Sequence, residues 1–180
     1  FEAARDDADR ALSIRPDMSD AHDVMSRALE HLGDADGARE HAEEAADLEP
    51  ENFPLPLEVA DDEFDVVVAA SVAELPEQVR KHLDELPIVV EPLPSRAILT
   101  SEDPPLSPDL LGLFVGRDLL ERSSSDLPGA PGAIYLFRRN LLRMCEDRDE
   151  LAKEIRVTVQ HEVGHLLGLD EDDLDQWGLA

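Results

Sequence analysis

His161-Glu162-Val163-Gly164-His165, with Gly168 and Glu171 following, is an HExxH core with an acidic residue six positions past the second histidine. On an α-helix, residues four apart stand about 40° apart around the axis, so both imidazoles leave one face and can grip one ion. Neutral imidazole suits zinc, and a catalytic zinc site commonly combines three protein ligands with a water. Glu162 stands beside such an ion, placed to take a proton from that water. Gly168 can adopt the left-handed conformation that ends a helix, and the turn there brings an acidic side chain back toward the ion. Spacing selects Glu171 as the third ligand, although Asp170, Asp172 and Asp173 surround it and each offers an oxygen.

The competing reading is an exposed polar helix face with two solvated histidines. With 6 His and 20 Glu in 180 residues, shuffling yields HExxH in roughly two chains of a hundred, so chance explains the motif poorly. The flanking sequence also favours a rigid, half-buried helix over residues 150–167, because Leu151, Ile155, Val159 and Leu166 form an apolar stripe beside the histidine face. Metzincins place a third histidine at the Glu171 position and a methionine turn downstream. Here the position is acidic, and neither a further histidine nor a methionine follows.

Upstream lie Leu110-Leu111-Gly112-Leu113-Phe114-Val115-Gly116, then Glu121-Arg122-Ser123, then Gly132-Ala133-Ile134-Tyr135-Leu136-Phe137-Arg138, leading into the helix with Thr158 and His161. From about Asp62 onward, over some two thirds of the chain, this pattern resembles the small bacterial zincin-like metallopeptidases, or minimal zincins, whose active helix carries HExxHxxGxx(D/E). The resemblance implies a compact α+β core with a short sheet and the metal helix near its end. It also implies zinc held by His161, His165 and Glu171, with Glu162 as base. Glutamate stands where many relatives carry aspartate, which moves the third ligand by one methylene.

The residues themselves predict matching elements. Positions 64–75 are rich in Val and Ala with a helical period, Pro76 interrupts, and 77–86 continue as a second helical piece. Ile88-Val89-Val90-Glu91 is β-branched and bounded by prolines, which reads as a strand. Residues 113–115 and 133–138 are further strands, and 140–145 a short helix. The strand at 133–138 is the candidate edge on which an extended peptide would pair main chain to main chain. An ordinary sheet strand with Tyr135 and Phe137 in the core is the equal alternative. Arg122, Arg138 and Tyr135 are candidates for stabilising developing negative charge, with no spacing argument to choose among them.

The first fifty residues differ in kind. Ala11, Ile14 and Pro16 recur as Ala45, Leu48 and Pro50, an offset of 34 residues, which is the tetratricopeptide period. Ala38 and Ala45 fall at small packing positions of a second helix, and Met25 and Leu29 at apolar positions of a first. Residues 19–50 thus resemble one tetratricopeptide repeat preceded by the second helix of another, with His22 where an aromatic is typical and Ser26 where glycine is typical. A generic helical cap is the alternative. One and a half repeats bury little alone, so more repeats or the following domain are expected to cover them. Pro54 and Pro56 mark the boundary, dividing the chain into a helical segment at 1–52 and a zincin-like domain at 57–180.

The formal net charge is −27, from 43 acidic and 16 basic residues spread along the chain. Such a field repels phosphate backbones and anionic membranes and favours a cationic partner. General acidity for solubility explains it equally well. Cys145 is a single cysteine, which excludes an internal disulfide and reads as a buried thiol. With no apolar run of membrane-spanning length and no signal segment in evidence, a cytoplasmic protein is expected. His31, His41 and His82 read as solvated on helix surfaces.

These readings converge on a zinc-dependent metallopeptidase that acts on a peptide or protein substrate, with zinc polarising the scissile carbonyl and Glu162 accepting the proton. Two further readings stand beside it. One is a protein-interaction module of tetratricopeptide type with a structural or idle zinc site, and the other is hydrolysis of a non-peptide amide.

Overall fold

The computed structural model describes residues 1–83, 86–116 and 132–167. Their contacts divide into two compact units, Phe1–Leu55 and Pro56–Ala180.

The first unit holds three helices, α1 (Glu2–Ile14), α2 (Ser19–Leu32) and α3 (Ala35–Leu48). α2 stops because Gly33 takes a left-handed conformation at φ 84°, which returns its N–H to the Glu30 and Leu29 carbonyls. One residue later Asp34 starts α3 by accepting the Gly37 amide at 3.0 Å. Small side chains make the interior: Ala8, Ala21, Ala28, Ala38 and Ala45 are buried with Met25. Such residues let helix backbones approach closely and interlock with little side-chain entropy to lose.

The histidines of this unit depart from expectation. His22 is buried at 8% exposure, and its Nδ1 meets Nδ1 of His41 at 2.9 Å. His31, half-buried, stacks on Phe1 with ring centroids 3.8 Å apart. His82, in the second unit, is also half-buried. The expectation of solvated rings at His31, His41 and His82 is therefore corrected: helical period alone does not reveal which neighbour covers a polar face.

The second unit is mostly helical around a small open sheet. Its described elements run α4 (Asp61–Ala73), α5 (Glu77–Leu83), β1 (Ile88–Glu91), α6 (Arg96–Leu99), β2 (Gly112–Val115), β3 (Ala133–Phe137), α7 (Arg138–Met144) and α8 (Arg148–Leu166). The sheet order is β1-β3-β2. β3 runs parallel to β1, with Val89 beside Tyr135, and antiparallel to β2, with Phe114 beside Ile134. The expected edge strand at 133–138 is thus the central strand, its main chain committed on both sides. Ile134 and Leu136 enter the core, Phe137 is fully buried and Tyr135 is half-buried.

α8 is the spine of the core. Leu151, Ile155, Val159 and Val163, spaced four apart, are each at most 1% exposed and pack with Phe64 and Val68 of α4, the two β3 residues, and Leu141 and Leu142 of α7. Leu166, expected in this stripe, is instead exposed, and Val163 takes the position. The helix begins at a cap in which Asp147 accepts the Glu150 amide at 2.9 Å while the Glu150 side chain accepts the Glu146 amide at 2.8 Å.

Two contacts fix β2. The side-chain amide of Asn140 on α7, itself buried, donates to the carbonyls of Pro108 at 2.8 Å and Leu110 at 2.7 Å. Gly112 presses against α8: a Cβ there would lie 2.5 Å from Thr158 Cγ2 and 3.0 Å from the Tyr135 carbonyl oxygen. Glycine at this position lets helix and strand come together without overlap.

Candidate functional site

The candidate site occupies the C-terminal turns of α8 and the adjoining edge of β2. His161 and His165 leave the same face of the helix, as their spacing requires, with ring centroids 4.5 Å apart and planes at 89°. Their Nε2 atoms lie 2.9 Å from each other, a hydrogen-bond separation. His161 is half-buried and His165 exposed.

Glu162 reaches β2. It is 7% exposed, and its carboxylate accepts the Phe114 amide at 2.6 Å. The strand geometry explains why that amide is available. The Phe137 amide donates to the Leu111 carbonyl, which makes 111 and 137 a bonded pair, and antiparallel pairing alternates. Phe114 therefore points its amide away from β3, toward the outer edge of β2, and a buried carboxylate satisfies it there. A charge-assisted bond of this kind holds a buried carboxylate that would otherwise be costly to desolvate.

The remaining expected residues are placed as follows. Glu171, Gly168, Asp170, Asp172, Asp173 and Arg122 lie outside the described residues. Arg138 pairs with Asp61, and Tyr135 sits within the central strand. Cys145 is buried, and burial pushes its thiol up to about 11, with Glu150, Glu154 and Asp147 adding to the effect.

Sequence reasoning missed Phe114 and Thr158 as partners of this region. Gly112 inside an apolar strand was the available signal for a close approach. The link from Glu162 to Phe114 had no local signal, because it joins residues 48 positions apart.

A family model described as zincin-like metallopeptidase matches residues 83–179, and the chain belongs to that family. No curated protein matches it.

Membership in the family does not by itself settle the metal chemistry, which rests on the residues brought together. Among the described residues, no group of three or more His, Cys, Asp or Glu side chains comes together to hold a metal ion. Among the described residues the two imidazoles, bonded to one another, supply two ligand atoms, whereas a zinc site needs at least three protein ligands. The expectations of an active HExxH site, a Zn2+ cofactor and a zinc-dependent metallopeptidase, with hydrolysis through a zinc-activated water, are accordingly corrected. Among the described residues no helix is long and apolar enough to cross a membrane.

Proposed function

We propose that the chain is a protein-interaction module, in which a helical segment of tetratricopeptide type at 1–52 engages a partner while the zincin-like domain at 57–180 is catalytically idle. The observation that carries this reading is the α1–α3 unit. Its alanine-lined interior includes Ala45, 1% exposed and one of the positions that recur at 34 residues, and helical repeats of that period commonly present surfaces to other proteins. In the second unit, Glu162, His161 and His165 serve structure, joining α8 to β2 and to each other.

The partner is a peptide or protein with cationic character, since the net charge of −27 attracts it and repels nucleic acid. A cytoplasmic setting suits a chain with one cysteine. Asp20 and Val24 lie on the exposed side of α2 and make a defined point of attack.

The test is binding of the full chain to an array of peptides of graded charge. Basic peptides are expected to bind best, and Asp20→Lys with Val24→Arg is expected to weaken them by about tenfold or more. Binding indifferent to peptide charge, or unchanged in the double variant, would refute the reading.

A further inference from the structure

The contact between His22 and His41 has an internal logic that is independent of the partner-binding reading. His22 Nε2 lies 2.9 Å from the Pro16 carbonyl oxygen. A carbonyl only accepts, so Nε2 carries the proton and, in the neutral ring, Nδ1 is bare. That bare nitrogen faces His41 Nδ1 at 2.9 Å, so His41 donates from Nδ1. One hydrogen-bonded chain then runs from α3 through His22 of α2 to the turn between α1 and α2.

Adding protons changes this chain in two stages. A first proton is accommodated, because His41 can take it on Nε2 and still donate from Nδ1. A second is not. His22 would then present an N–H at Nδ1 to the N–H of His41, and two like charges would sit side by side with His22 buried. We propose that the His22–His41 pair is a proton-sensitive latch that holds α2, α3 and the Pro16 turn together at neutral pH and releases them on acidification.

The surroundings agree in sign. Burial and then His22 lower the affinity of His41 for protons, opposed by Glu40 and Glu44 on its own helix, and the net shift is downward from 6.5. A histidine whose folded value lies below its unfolded value contributes stability that is intact above about pH 6.5 and declines as pH falls. Near the latch, Glu49 accepts from Ser19 of α2 at 2.7 Å and from Asn52 at 2.7 Å. Those bonds hold its carboxyl below the usual range, so this second α2–α3 link also weakens in acid, but only as pH falls below about 4.5.

The experiment uses the full chain labelled with nitrogen-15. Ring spectra at about pH 7.5 are expected to show the proton on Nε2 of His22 and on Nδ1 of His41. Amide exchange in α2 and α3, corrected for intrinsic rates, is expected to quicken about tenfold between pH 7 and pH 5, and His41→Gln to flatten that dependence to about twofold. The latch is overturned by neutral rings that both carry the proton on Nε2, or by a variant with the native pH dependence. Should His41→Gln not fold, the ring spectra of the native chain decide alone.

Discussion

The Glu162 carboxylate and the Phe114 amide, 2.6 Å apart, join the end of the longest described helix to the outer edge of a three-stranded sheet. Both partners are needed. Without the carboxylate, an amide that points away from β3 loses its acceptor; without the strand, a 7%-exposed charge loses a donor. The pairing therefore reads first as architecture.

If so, Glu162→Ala should lower the unfolding free energy by about 1.5–3 kcal/mol, the range for a lost bond to a charged group. Glu162→Gln keeps an oxygen acceptor and should cost less than about 1 kcal/mol. Denaturant melts of the two variants give the comparison. Equal losses would show that the carboxylate acts through something other than this bond.

The approach of Gly112 to Thr158 makes a second forecast. Gly112→Ala places a methyl 2.5 Å from Thr158 Cγ2 and should destabilise by about 1–3 kcal/mol. Adding Thr158→Ser removes the clashing methyl and should recover part of the loss, the remainder reflecting the Tyr135 carbonyl at 3.0 Å. A double variant no better than the single one would mean that the strand, rather than the helix, yields.

Cys145 supplies the pH test. Its thiol is raised from 9.0 to about 11, so near neutrality the thiolate fraction should be about a hundredfold below that of the unfolded chain. Alkylation at pH 8, native against denatured, measures the ratio. A raised thiol also contributes stability that is present below about pH 9 and lost as pH climbs toward 11. Native alkylation at the denatured rate would place the sulfur in solvent.

Local signals carried far in this chain. Prolines around 88–91 delimited β1 as Ile88–Glu91, and the four-residue spacing of Leu151, Ile155 and Val159 marked the buried face of α8. What stayed hidden was pairing between distant segments. Strand 133–137 lies in the middle of the sheet because β1 and β2 both bond to it, and nothing in its own five residues distinguishes a centre from an edge. The same holds for His41, whose exposure depends on His22 nineteen positions away. At the candidate site the spacing of His161 and His165 did bring their rings together. It did not foretell that Glu162 would spend its carboxylate on a backbone amide, since that requires knowing where β2 lies.

Asn140 grips the Pro108 and Leu110 carbonyls from a neighbouring helix, and this has a bearing on how the chain tolerates change. The alignment of β2 is set by a clamp at its doorstep rather than by the span leading up to it. Extra residues inserted between Thr100 and Leu106 should loop outward and leave the strand where it is, which makes that stretch the natural place to graft an affinity tag or a fluorescent reporter.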